Sequence, residues 1–284
     1  MSDIITLHEK SNQVTVNKFS IFCAANTQMP FKYKRLVFDA AVTSSLLYST
    51  KSWFTDSIKP IANQYNQLVR CLLGVRKNTS IDLCFIETGI PPIKHMIAKR
   101  RCTFLKLKLD SNDIEQPFIF AFRLCNDNNT SAYQFMSKYL QYNTNSNPFD
   151  ILANAINNRA NYATKYQVYI NELNRSMDVH SIYKTNTFIP DYLRISFSRI
   201  RLISHNLKVE TGRWSRIPRE RRVCQCDNTQ IQTEAHVLIS CPLTQNIRHN
   251  YLMLNFTDIS SLLSEDSNIH HLCTYIHQVL CFYT

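Results

Sequence analysis

Four residues between positions 224 and 241 constrain this chain more than any other feature. The stretch reads Cys-Gln-Cys-Asp-Asn-Thr-Gln-Ile-Gln-Thr-Glu-Ala-His-Val-Leu-Ile-Ser-Cys. Cys224 and Cys226 are separated by one residue, nine residues follow, and His236 and Cys241 then enclose four. Three thiols and an imidazole are the donor types that a tetrahedral zinc ion takes. In a flat strand Cys224 and Cys226 point to opposite faces, so sharing one ion requires the chain to turn there. Asp227 and Asn228 supply the turn, because both tolerate unusual backbone angles. The spacing therefore predicts a short hairpin and a short helix closed around one zinc. The competing reading is four unrelated residues in a chain with ten Cys.

Those ten Cys do not form a disulfide framework. They are scattered over 284 residues, and Met1 to Lys18 is polar and mixed in charge, unlike a secretory leader. A reducing, intracellular setting, nucleus and/or cytoplasm, is expected. No apolar run is long enough to span a membrane. With 44% apolar residues and only three Gly, the chain can build a sizeable core. Its aliphatic and aromatic residues recur at helical spacing, so the expected fold is mainly α.

The net charge of +11 is unevenly placed. Residues 34–110 hold 13 basic and 5 acidic side chains, and residues 194–222 hold 9 and 2. The rest is near neutral or acidic. Two basic blocks with a neutral spacer suit an extended polyanion, DNA and/or RNA. Solvated helix faces are the alternative.

In chain order, residues 1–30 read as a residual N-terminal segment and 31–110 as a helical cluster with a basic face. Leu36, Val37, Ala40, Ala41, Leu47 and Tyr48 suggest the buried face of its first helix. Pro60 opens a second helix with the stripe Ile61, Tyr65, Leu68, Val69 and Leu72, which Gly74 ends. Thr79 or Ser80 caps a third, ended by Gly89. Pro91 and Pro92 start a fourth, with Ile93, Ile97, Phe104 and Leu105 inward and Lys94, Lys99, Arg100, Arg101, Lys106 and Lys108 on the other side. Residues 111–189 read as a helical spacer: short helices at Gln116–Leu124 and Ser131–Tyr142, and a long one from Pro148 to about Arg175. Residues 190–256 hold a helix through about Asn206, decorated by Arg194, Arg199, Arg201 and His205. An extended loop at 211–222 follows, broken by Gly212 and Pro218, and then the zinc module. The loop presents Arg213, Arg216, Arg219, Arg221 and Arg222 around Trp214. Arginine forks match phosphate, and an indole can stack on a base. A helix from Pro242 to about Phe256 and a last one over about Asn268–Cys281 complete residues 190–284. His270, Cys273, His277 and Cys281 share a face of that last helix. One helix rarely supplies four ligands, so packed core residues are the better reading there.

These residues carry a resemblance. Arg199-Ile-Arg-Leu-Ile-Ser-His-Asn-Leu, then Glu210-Thr-Gly-Arg-Trp-Ser-Arg-Ile-Pro-Arg-Glu-Arg-Arg-Val-Cys-Gln-Cys, Gln232-Thr-Glu-Ala-His-Val-Leu-Ile-Ser-Cys-Pro-Leu-Thr and Arg248 resemble the C-terminal region of non-LTR (LINE-type) retrotransposon reverse transcriptases. Asn26, Pro30, Lys34, Leu46-Leu-Tyr48, Trp53, Leu72-Leu-Gly-Val75 and Glu87-Thr-Gly-Ile-Pro-Pro are similar to the segment that follows the palm in those polymerases. The likeness covers about residues 19–110 and 190–255. It implies a helical thumb and linker joined to a Cys-Cys-His-Cys zinc module that helps hold template RNA or target DNA. It also implies a ribonucleoprotein of such an element as partner. The chain departs from the pattern at Asp227, where many relatives have Gly, and at Ser49 and Lys51, which replace Gly and Glu. It holds no Asp-Asp pair, whereas two-metal phosphoryl chemistry needs clustered carboxylates. The expectation is therefore no catalytic residues and no polymerase activity from this chain alone. Nucleic-acid contacts are expected from Arg199, Arg201, Arg213, Trp214, Arg216, Arg219, Arg221, Arg222, Lys99, Arg100 and Arg101. A helical interaction scaffold with a structural zinc is the alternative. A polymerase acting through a longer parent chain is a third.

Overall fold

A computed structural model describes residues 2–48, 50, 58–110, 117–128, 130–184 and 188–283. Ser49, Lys51 and Trp53 lie outside them. The chain is mainly helical, 67% helix, with no strand among the described residues. The helices are α1 (Ser2–Ala25), α2 (Phe31–Val37), α3 (Ser44–Leu46), α4 (Lys59–Leu73), α5 (Ile81–Thr88), α6 (Ile93–Leu109), α7 (Pro117–Asp127), α8 (Ser131–Leu140), α9 (Pro148–Ala160) and α10 (Thr164–Val168). They continue with α11 (Asp191–Arg201), α12 (Lys208–Trp214), α13 (Gln245–His249), α14 (Ile259–Leu263) and α15 (Ile269–Phe282).

The proline and glycine punctuation holds best. Pro60 sits in the first turn of α4, and Gly74 and Gly89 end α4 and α5 in the left-handed region at φ 69° and 65°. Tyr65, Leu68, Val69 and Leu72 are buried. Elsewhere helical periodicity misleads. Phe38–Thr43 is a π turn, which widens the repeat and rotates the following residues. Of the expected face, Leu47 is buried and Val37 half-buried against the core, while Leu36, Ala40, Ala41 and Tyr48 are exposed; Phe31, Phe38, Val42 and Leu46 face inward. The residual N-terminal segment is instead the helix α1, which packs along α4 and buries Val16 and Phe19. Ser80 occupies the N-cap position of α5 without a side-chain cap; its hydroxyl pairs with that of Tyr166 at 2.9 Å.

Several expected long helices stop early. The helix from Pro148 breaks at residues 161–163 and ends in a π turn, Tyr169–Leu173. The one from Pro190 ends at Arg201, and Pro242 opens only a 3₁₀ turn before α13. Residues 111–189 are more than a connector. Leu152, Ile156, Tyr169, Leu173, Ile182 and Tyr183 join the same core as α4, α11 and α15. A smaller core of Ala98, Leu105, Met136 and Tyr139 lies between α6 and α8.

Three of the expected surface cations are interior. Arg201 is buried and pairs with buried Glu87, whose other oxygen also accepts from Tyr169 Oη at 3.1 Å and Asn174 Nδ2 at 3.3 Å. Its guanidinium also donates to the carbonyls of Leu173 and Leu263 at 3.0 and 3.4 Å. Arg194, with Lys34, meets buried Asp191, and donates to the carbonyl of Leu72 at 3.2 Å. Arg101 is 1% exposed, donates to the Thr50 carbonyl at 3.0 Å and to Tyr139 Oη at 2.7 Å, and lies against the Phe135 ring. Arg101 and Arg201 are therefore buried and engaged inside the fold rather than on its surface. Burial of a guanidinium demands such compensation.

Candidate metal centre and basic surface

The hairpin forms where the spacing predicts it. Val223 and Ile231 make an antiparallel bridge, and the Cys224 amide donates to the Gln230 carbonyl at 2.7 Å. At the tip, Asp227 Oδ1 accepts from the amides of Thr229 and Gln230 at 3.0 and 3.1 Å, and Asn228 takes φ 56°. Those two amides hold the Asp227 carboxyl well below its ordinary pKa. Asp227 thus builds with its side chain the turn that a Gly would permit through its backbone. The result is a reversal that puts Cys224 and Cys226 on one side.

The second pair depends on a different device. Residues five apart on an α-helix sit about 140° apart around the axis. Here His236–Ser240 is a π turn, and the Cys241 amide bonds to the His236 carbonyl at 2.8 Å. The backbone then turns extended at Cys241, with ψ 125°. This closes His236 and Cys241 onto one side.

Among the described residues, Cys224, Cys226, His236 and Cys241 form the group that can hold a metal ion, with one donor atom from each all within 4.8 Å of one another. Cys224 Sγ lies 3.7 Å from Cys241 Sγ, and Cys226 Sγ lies 3.3 Å from His236 Nε2. Around a tetrahedral ion with thiolate bonds of about 2.3 Å and an imidazole bond of about 2.0–2.1 Å, the edges are about 3.8 and 3.6 Å. The donor set fits a metal ion in identity and number, and these two separations lie close to the edges of such a tetrahedron.

The surroundings are already those of a thiolate cage. Tyr283 Oη lies 3.0 Å from Cys241 Sγ and 3.6 Å from Cys224 Sγ, and Gln232 Nε2 donates to Cys224 Sγ at 3.9 Å. Burial opposes ionisation of Cys224, yet the Cys226 amide and the Tyr283 hydroxyl outweigh it and bring the thiol down to about 6. Burial and the neighbouring sulfurs push Cys226 up to about 12. Thiolate ligation requires these thiols to give up their protons. A cation replaces those protons, so its binding weakens as pH falls. His236 Nδ1, on the far side of its ring, lies 3.4 Å from Ser240 Oγ. Tyr283 and Gln232 were not legible as site residues, because no ligand spacing marks a hydroxyl or an amide that reaches a sulfur.

The cage is anchored. Val237 and Leu238 enter the main core, Tyr275 Oη donates to the Leu238 carbonyl, and Arg248 donates to the Cys241 carbonyl at 2.7 Å. Buried Glu234 meets His205 Nε2 at 2.7 Å, which ties the cage to the end of α11. His205 is therefore interior too. Of the expected cluster on α15, Cys273 is buried in the core, but His270 and Cys281 are exposed.

The extended loop expected at 211–222 is helical at both ends, in α12 through Trp214 and in a 3₁₀ turn at Arg219–Arg221, with a non-helical turn at 215–218. Gly212 lies inside α12 because the Arg222 side chain crosses it: a Cβ there meets Arg222 Cγ at 2.7 Å. Arg222 is thereby spent on the fold, donating to the carbonyls of Val209 and Ile217 at 2.8 and 2.9 Å. It is no free phosphate fork. Gly212→Ala is expected to displace Arg222 and cost about 1–3 kcal/mol as an overpacking change. Thermal denaturation reads it, and an Arg222→Ala background should relieve most of the loss.

Arg213, Arg216, Arg219 and Arg221 are exposed. Arg213 pairs with Glu210 at 2.5 Å; Arg216, Arg219 and Arg221 form no ion pair among the described residues. Trp214 is 41% exposed, with the Arg76 guanidinium 4.1 Å from its ring centroid. Arg199 is exposed, and its Nε donates to the Gly74 carbonyl at 3.1 Å. Lys99 and Arg100 are exposed on α6, where they line a groove with Leu47 and Phe104. No helix among the described residues is long and apolar enough to cross a membrane. No known protein family model, no curated protein and no solved structure matches the chain.

Proposed function

We propose that the chain is a nucleic-acid-binding module folded around one structural zinc, the C-terminal part of a non-LTR retrotransposon reverse transcriptase by its resemblance. The donor chemistry supports zinc over harder ions, since three thiolates with one imidazole suit a borderline-soft cation. Zinc bound there would cross-link hairpin and π turn; it supplies no reaction step. The observation that carries the nucleic-acid reading is the run Arg216, Arg219 and Arg221, exposed, free of ion pairs among the described residues, and ending three residues before the first ligand. Arg199, Arg213, Lys99 and Arg100 extend the positive surface. The chain brings no Asp-Asp pair of the polymerase type, so copying activity would belong to a longer parent chain.

The test is binding of the zinc-loaded chain to single- and double-stranded DNA and RNA over a range of salt. Affinity should fall steeply, because each phosphate contact on B-DNA contributes about −0.9 to the slope of log K against log salt. Arg219→Ala with Arg221→Ala should flatten that slope by about 2 and leave the melting temperature unchanged. A salt-independent affinity contradicts the reading. Exposed Leu252 and Met253, 77% and 50% accessible, favour a protein-interaction scaffold instead. Absence of any nucleic-acid affinity in the zinc-loaded chain would select that alternative.

A further inference from the structure

A second site lies on the other side of Tyr283. The turn after α4, α11, the segment following it and α15 enclose a cleft of about 110 Å³, whose walls include Arg76, Ser196, Arg199, Asn206, His277 and Tyr283. The residues come from positions 76 to 283, so the folded chain assembles it.

Its charge is unbalanced. Neither Arg76 nor Arg199 pairs with a carboxylate among the described residues. Arg76 is fixed instead by neutral acceptors, the His205 carbonyl at 3.0 Å and Asn206 Oδ1, with its guanidinium over the Trp214 ring. Arg199 is fixed through Nε alone, on the Gly74 carbonyl, which leaves its two terminal nitrogens for another acceptor. Desolvation and then Arg199 itself lower the pKa of Arg76, the direction expected of two cations facing one void. The opposite wall is polar and fixed: Ser196 Oγ lies 3.0 Å from His277 Nδ1 and donates to the Tyr192 carbonyl at 2.9 Å.

We propose that this cleft is a binding site for one phosphate group. The two free terminal nitrogens of Arg199 form a fork that matches an oxygen pair of phosphate, and Arg76, whose own nitrogens are held by His205 and Asn206, adds a second positive charge. The volume holds a tetrahedral oxyanion and is well below the about 300–1,000 Å³ of pockets that enclose a whole small ligand. A base or sugar attached to the phosphate therefore stays outside. The site does not rest on the nucleic-acid reading: a chain phosphodiester, a terminal phosphate and inorganic phosphate share the chemistry.

The test is calorimetric titration of inorganic phosphate into the metal-loaded full chain at low chloride, followed by competition with an oligonucleotide. Wild type should bind phosphate saturably at one site. Arg199→Gln should weaken it at least tenfold, and Arg76→Gln, which removes the second positive charge, should also weaken it. Lys32→Gln, with the same charge loss on an exposed side chain outside the cleft, should bind as wild type does. Unchanged melting temperature in Arg199→Gln separates loss of the site from loss of the fold. No saturable binding by wild type, or equal binding by Arg199→Gln, overturns the site. Phosphate binding that persists in a chain with no oligonucleotide affinity keeps the site, with a small phosphate as occupant, and sinks only the nucleic-acid reading. Oligonucleotide affinity that persists in a wild type without phosphate binding does the reverse.

Discussion

Arg201→Ala is expected to destabilise the protein by about 3–5 kcal/mol, the cost of removing one partner from a buried ion pair. Glu87 is fully buried, and the substitution leaves its carboxylate in the core facing only the Tyr169 hydroxyl and the Asn174 amide. The carbonyls of Leu173 and Leu263 lose their donor as well. Typical domains have about 5–15 kcal/mol in total, so a large fall in the denaturation midpoint should follow. Glu87→Ala should cost a similar amount by stranding the guanidinium. A joint replacement by apolar residues of matching size, Arg201→Met with Glu87→Leu, should cost less than either single change. Urea denaturation followed by circular dichroism measures all three. A surface phosphate contact behaves in the opposite way: Arg201→Ala would then leave the midpoint alone and lower nucleic-acid affinity.

The second large effect concerns the cage. Cys226→Ser and His236→Ala are each expected to abolish stoichiometric metal. Structural zinc contributes about 10–16 kcal/mol of apparent binding energy in zinc-finger peptides near neutral pH, so its loss outweighs any single hydrogen bond in the hairpin. Amide exchange should accelerate at Cys224, Gln232 and Cys241, whose amides donate to Gln230, Arg222 and His236. Because Val237 and Leu238 enter the main core, α15 should loosen too, while α4 and α5 keep their protection. Metal content is read by mass spectrometry and exchange by residue. Full occupancy in either variant would reject the ligand set.

The contrast between these two sites shows what a sequence displays. Metal spacing is local, and Cys224, Cys226, His236 and Cys241 were legible because a turn and one helical reversal suffice to join them. Pro60, Gly74 and Gly89 were legible for the same reason, each acting on its own backbone. Burial of a cation is decided at long range. Glu87 lies 114 positions from Arg201, and Asp191 lies 157 from Lys34, so arginines placed on solvent faces by charge density alone turned out to be core residues. The face of the helix from Phe31 was read only in part: Leu47 is buried, but Ala40 and Ala41 are exposed where the π turn at 38–43 breaks the 3.6-residue period. Gly212 signalled a break, but its missing Cβ serves the passage of Arg222 instead. Nothing in the local pattern at 161–163 or 202–206 announced the ends of the helices there.

The most direct test of the central claim, that one zinc joins three sulfurs and one imidazole, is zinc K-edge X-ray absorption on the full chain purified without chelators. One zinc per chain should appear, with three sulfur scatterers at about 2.3 Å and one imidazole nitrogen at about 2.0–2.1 Å. A metal-free protein that keeps its fold, or a first shell made only of oxygen and nitrogen, would contradict it.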